Sequence, residues 1–85
     1  MPKINNTPES DKVRERFVRS YDELKYRGLV TTKKLFCEEI GISSVSNFIR
    51  MKHPNLEPTI SQILNLNKKY HISMDWLLFG KGEVL

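Results

Sequence analysis

Apolar residues recur at helical spacing in five stretches of the chain, each closed by glycine, proline or a short polar run. In the first stretch Val13, Phe17, Tyr21 and Leu24 are spaced four, four and three apart, a narrow stripe along one side of a helix. Thr7-Pro8-Glu9 reads as its start. Threonine caps, proline sits where its missing N–H costs nothing, and glutamate faces the positive helix end. The helix is expected to run to about Arg27, with Gly28 as its stop. Lys12, Arg14, Arg16, Arg19, Lys25 and Arg27 fall off the stripe, mixed with Glu15, Asp22 and Glu23. Most of them are expected to form a solvated face, from which one or two arginines can reach a phosphate. Residues 1–7 are expected to be a disordered tail.

The second and third stretches lie close together in Thr31 to Lys52. Thr31 is the expected cap of a short helix carrying Leu35, Phe36, Cys37 and Ile40, with Val30 and Leu35 forming a hydrophobic staple. Gly41 breaks the pattern, as expected where a chain leaves a helix in the left-handed conformation. Ile42 follows as an apolar plug, and Ser43 or Ser44 caps the next helix. There Val45, Phe48 and Met51 share one side. The other side shows Ser44, Ser46, Asn47 and Arg50, short hydrogen-bonding groups and a guanidinium of the kind that read base edges. Ile49 falls near that exposed side. Either it stays there, able to touch a thymine methyl, or it turns into the core and Met51 turns out.

Pro54 and Pro58 bound a loop. Thr59 to Gln62 reads as a capping box for a fourth helix to about Tyr70, with Ile60, Ile63, Leu64, Leu66 and Tyr70 as its apolar face. Ser73 caps a fifth, with Asp75 in its first turn and Gly80 and Gly82 as stops. Met74, Trp76, Leu77, Leu78 and Phe79 are more apolar residues than one helix face hides. Trp76 is the first choice for the core. Leu78, Phe79, Val84 and Leu85 either fold back over it or form a contact patch.

Eighty-five residues make one domain, here residues 8–85, with a modest core. No apolar run is long enough for a membrane span, and the polar start, MPKINNTPES, does not read as a secretion signal. The single Cys37 makes neither an internal disulfide nor a cysteine zinc site alone, which suits a reducing cytoplasm. A catalytic role for it would need an oriented base, and His53 and His71 both fall in turns. The expectation is a small buried residue, no metal or cofactor, and no enzyme. The formal charge of +4 is compatible with nucleic-acid binding and equally with a plain charged surface.

Two segments carry a resemblance. The run TTKKLFCEEIGISSVSNFIRMK has a small residue, Cys37, four before the turn glycine, then Gly41-Ile42-Ser43. The run HISMDWLLFGKGE, from His71 to Glu83, is similar to the last helix of many small bacterial regulators. Together they resemble the phage-repressor type of helix-turn-helix domain (Cro/lambda-repressor-like, XRE-type) over residues 12–83. Two departures stand out. Gly41 to Phe48 is one residue longer than usual, and the following loop, His53-Pro54-Asn55-Leu56-Glu57, lacks the usual glycine and basic residues.

The resemblance implies an all-α, five-helix domain with a helix-turn-helix at helices 2 and 3. Its recognition helix, about residues 44–52, would lie in the major groove of double-stranded DNA. It implies phosphate contacts at Thr32, Lys33 and Lys52, with Lys34 and Asn55 as weaker candidates, and base contacts among Ser44, Ser46, Asn47 and Arg50. It also implies a cytoplasmic homodimer through the C-terminal helix, at Leu78, Phe79, Val84 and Leu85, acting as a transcriptional regulator. The alternative is a protein-interaction module that keeps the fold without DNA, or an antitoxin-type partner of another protein.

Overall fold

The computed structural model describes residues 8–54 and 56–85. The expected tail 1–7, the Thr7 cap and the Asn55 contact fall outside them. Five helices follow in order: α1 (Pro8–Tyr26), α2 (Lys33–Ile40), α3 (Val45–Arg50), α4 (Ile60–Tyr70) and α5 (Met74–Phe79). Among the described residues there is no strand, and no helix is long and apolar enough to cross a membrane.

The 19-residue α1 is the scaffold. Glu9 and Asp11 lie in its first turn and Lys25 in its last, each the favourable sign for the helix dipole. Its buried side is Arg14, Phe17, Ser20, Tyr21 and Leu24, so an arginine 4% exposed leads the stripe and Val13 is only half-buried. Arg14 is therefore not part of a solvated face. Its Nη1 donates to the Met51 carbonyl at 2.9 Å, just past the end of α3. Its Nη2 donates to Asp11 at 3.4 Å, and its Nε lies 3.6 Å from Glu57, an ion pair longer than a hydrogen bond. Arg16 also turns inward: Nε donates to Leu77 O at 2.8 Å and Nη2 to Leu78 O at 3.0 Å. The last carbonyls of a helix lack intrahelical partners, and these two arginines supply them for α3 and α5.

The short helices are capped as local chemistry demands. Ser44, Thr59 and Ser73 accept from the N–H groups of Asn47, Gln62 and Trp76, and Thr59 with Gln62 completes a capping box. The cap of α2 is Thr32, which accepts from Leu35 N, and not Thr31. Helix α2 then starts one residue later, with Phe36, Cys37 and Ile40 inward. Leu35, about 100° round the helix from Phe36, is 41% exposed while Phe36 is fully buried. With Thr32 as the cap, the staple positions become Thr31 and Phe36, so Val30 and Leu35 no longer occupy them. On α4 only Leu66 is fully buried; Ile63 and Tyr70 pack against the core, whereas Ile60 and Leu64 face outward. The side of α4 carrying Gln62, Asn65 and Lys69 turns to α2, where Lys69 Nζ lies 3.6 Å from Glu39.

Aromatic rings fill the centre. Tyr21 meets Phe36 edge-on at 5.4 Å and Phe48 at 5.9 Å. Phe36 lies 5.2 Å from Phe48 and stacks with Tyr70 at 5.9 Å. One ring from each of α1, α2, α3 and α4 thus meets its neighbours, in the offset and edge-on arrangements that ring quadrupoles favour. Trp76 and Leu77 close the core from α5. The segment after α5 folds back. Val84 packs on the core, and its carbonyl accepts from Ser73 N at 2.7 Å.

The fold makes a sharp distinction between two adjacent residues. Phe36→Ala should destabilise the protein by about 3–5 kcal/mol, as for a fully buried aromatic. Leu35→Ala should stay within about 1 kcal/mol, as for a largely exposed position. Urea denaturation of both variants measures this; equal losses would contradict the assigned inward face.

Candidate nucleic-acid interface

The turn between α2 and α3 depends on one backbone conformation. Gly41 has φ 95° and ψ 28°, the left-handed region where a Cβ is strained. The N–H groups of Gly41 and Ile42 both donate to Cys37 O at 2.9 Å. Ile42 is buried at the corner. From the far side, Asn65 Nδ2 donates to Ile40 O at 2.8 Å and Gln62 Nε2 to Gly41 O at 3.3 Å. Two amides of α4 thereby hold the end of α2.

Helix α3 is shorter than the expected 44–52: it spans Val45–Arg50, with Ser44 as its cap and Met51 and Lys52 in the turn that follows. Phe48 and Met51 are buried and Val45 packs beside them. Between the two readings of Ile49, the outward one holds: Ile49 is 44% exposed and Met51 2%. The carbonyl of the same buried Met51 accepts from Arg14 Nη1. Ser46, Ile49, Arg50 and Lys52 are exposed, and Asn47 is half-buried.

Not every candidate is equally available. Ser44 Oγ accepts from Asn47 N at 3.1 Å, so it holds the helix and keeps its own proton and one lone pair for a further partner. Thr32 Oγ1 is used in the same way, accepting from Leu35 N at 3.1 Å, beside a half-buried Lys33. Asn47 Nδ2 donates to Ser43 Oγ at 2.6 Å, and Asn47 Oδ1 accepts from Arg50 Nη1 at 3.3 Å. Ser43, Asn47 and Arg50 thus form one hydrogen-bonded chain along α3.

The structure adds a residue that the pattern did not single out. A shallow cleft of about 310 Å³ is lined by Arg14, Glu15, Val18, Arg19 and Lys52, which brings Arg19 of α1 to the same rim as Lys52. The Arg19 guanidinium lies 5.9 Å over the Trp76 ring, a cation–π distance. Thirty-three positions separate Arg19 from Lys52 in the chain, so no local spacing signals the pair.

Cys37 is buried. Loss of hydration pushes its thiol above the ordinary range, and Glu38 adds to this while Lys33 opposes it. Burial, with Glu39, likewise raises the Tyr70 phenol. Among the described residues no group of three or more His, Cys, Asp and Glu is placed to hold a metal ion. Comparison of the chain with protein-family models, with curated proteins and with solved structures found no match.

The thiol carries a pH consequence. Its folded value is raised, so the folded state retains the proton that the unfolded state gives up. This group leaves stability intact below the unfolded thiol's value of about 8.5 and erodes it as pH rises above that. Alkylation of Cys37 by iodoacetamide at pH 8 should be slow in the native protein and rapid in urea. Equal rates would show that the thiol is solvent-accessible.

Proposed function

We propose that this chain is a DNA-binding domain of the phage-repressor helix-turn-helix type, a small dimeric regulator that binds double-stranded DNA with sequence specificity. One observation carries the reading. A short helix, α3, and the turn after it bury Phe48 and Met51 behind a glycine turn, and α3 presents Ser46, Asn47, Ile49 and Arg50 on the opposite side. That outward set contains the groups that base edges require: amide, hydroxyl and guanidinium for donors and acceptors, and an aliphatic side chain for a thymine methyl. Helix α3 would lie in the major groove and α2 would cross the backbone. Thr32 and Lys33 at the start of α2, with Lys52 after α3, would bind phosphates and supply the salt-dependent part of the affinity. Arg19 joins Lys52 in that role, since they share a cleft rim.

One short helix reads few base pairs, so two copies would bind half-sites about one helical turn apart. Phe79 suits a contact between copies. It is 67% exposed and, with Leu78, lines a cleft of about 390 Å³ shared with Glu9, Lys12, Arg16 and Gly80. Leu85 is exposed enough to join them, whereas Val84 packs on its own core and contributes less. A regulator of this kind works in the cytoplasm.

A second reading, a protein-interaction module of the same shape or an antitoxin-type partner, is favoured by one feature. Between Gly41 and Pro58 only Arg50 and Lys52 are basic. Selection from a random-sequence duplex pool at two salt concentrations separates the readings. Enrichment of a short palindrome, with affinity falling steeply in salt, supports the regulator. Weak, salt-sensitive binding without enrichment overturns it in favour of the module.

Two variants follow from the geometry. Arg50→Ala should weaken binding to the selected duplex by about 1–3 kcal/mol, the worth of a bidentate base contact, while leaving the melting temperature unchanged. A large drop in melting temperature would mean that Arg50 is structural. Replacing thymine by deoxyuridine in the half-site should weaken wild-type binding and leave Ile49→Ala unaffected; an equal loss in both would remove Ile49 from the interface.

A further inference from the structure

Helix α3 holds a half-buried side chain, Asn47, whose two amide atoms each already make one hydrogen bond. Asn47 donates through Nδ2 to Ser43 Oγ at 2.6 Å and accepts through Oδ1 from Arg50 Nη1 at 3.3 Å. Its backbone N–H is held too, donating to Ser44 Oγ at 3.1 Å. The two side-chain partners lie on opposite sides along the helix, four residues before and three after. An asparagine that reads adenine must aim both amide atoms at one base edge, accepting from N6 and donating to N7. Each amide atom keeps one further site, an N–H on Nδ2 and a lone pair on Oδ1, but the bonds to Ser43 and Arg50 fix the amide plane, so turning it toward a base edge would strain both.

Arg50 is in the opposite situation. A guanidinium carries five N–H donors in a planar fork, and Asn47 takes one of them. The remaining donors can address a guanine O6 and N7. An exposed arginine otherwise loses much side-chain freedom on binding, and a fixed hydrogen bond to one edge of the fork reduces that loss before DNA arrives.

We infer that Asn47 is a positioning residue and not a base reader: the Ser43–Asn47–Arg50 chain presents Arg50 to a guanine, and the guanine contact is where the chain's sequence preference is concentrated. The inference rests on the DNA-binding reading above and assigns the roles within its site. It also separates two residues that sequence spacing alone treats as equivalent readers.

The test uses the full chain and the half-site selected with the wild type. Affinities are measured for that duplex and for duplexes altered at each base pair in turn, with Asn47→Ala, Ser43→Ala, Arg50→Ala and the double variant of Asn47 and Arg50. Arg50→Ala should make the protein indifferent to the guanine. Asn47→Ala should lower discrimination at that same guanine by about threefold to tenfold, within the range of coupled neighbours, and should relax no other position. Added to Arg50→Ala, it should have almost no further effect. Asn47→Asp keeps an acceptor for Arg50, so it should retain guanine discrimination while all duplexes bind more weakly through the added negative charge.

Relaxation at an A·T pair in Asn47→Ala, with guanine discrimination intact, would overturn the assignment and restore Asn47 as a reader. A second readout needs no DNA. The Arg50 side-chain nitrogens, followed by NMR relaxation in the free protein, should be ordered in the wild type and mobile in Asn47→Ala. Mobility in both would overturn the relay even if DNA binding stands. Failure of the wild type to select any sequence, with Arg50 ordered, would instead count against the DNA-binding reading alone.

Discussion

Short helices end on carbonyls that have no partner within the helix, and in this protein other helices supply the partners. Three of the five helices have eight residues or fewer: α2, α3 and α5. None of that length is stable alone in water. The end of α2 receives Gln62 and Asn65 from α4, the carbonyl after α3 receives Arg14 from α1, and the end of α5 receives Arg16 from α1. Each of these bonds also fixes where one helix stops against another, so satisfying the backbone and setting the tertiary arrangement are the same event. Burying the Arg14 charge carries a desolvation cost, offset by the Met51 carbonyl and by the carboxylates of Asp11 and Glu57. A single charge in that position ties together α1, the end of α3 and the loop that follows.

The rotation of α3 follows from this frame. Phe48 packs among Tyr21 and Phe36 on one side. Arg14 draws in the Met51 carbonyl at the end, and the left-handed Gly41 sets the angle of entry. With those three constraints in place, Ser46, Ile49 and Arg50 have no inward direction left. The direction in which α3 presents its outward side is therefore set by the core behind it, which suits a surface that must meet another molecule in one register.

Much of this was legible in the chain, and the reason is sequence distance. Five helices, the left-handed stop at Gly41, the caps at Thr59 and Ser73 and a cap at Ser43 or Ser44 depend on residues within four positions of one another, where spacing carries the signal. The roles of Arg14 and Arg16 depend on partners 37 and 61 positions away, and a basic residue beside an apolar stripe reads locally as solvated. The choices between Thr31 and Thr32, between Leu35 and Phe36 and between Ile49 and Met51 are rotations of one residue. Tertiary packing decides them. The candidate site divides in the same way. The outward set on α3 follows from helical spacing, whereas the engagement of Asn47 by Ser43 and Arg50, and the meeting of Arg19 with Lys52, need coordinates.

In the proposed reading, the outward side of α3 and the start of α2 form one DNA-facing surface. Backbone amide NMR during titration with a short duplex addresses it most directly. Shifts concentrated at Thr32 and Lys33 and from Ser43 to Lys52, with smaller ones at Arg19, all reversed by added salt, are the expected result. Shifts confined to α5 and the segment around Val84, or none at any duplex concentration, would contradict it.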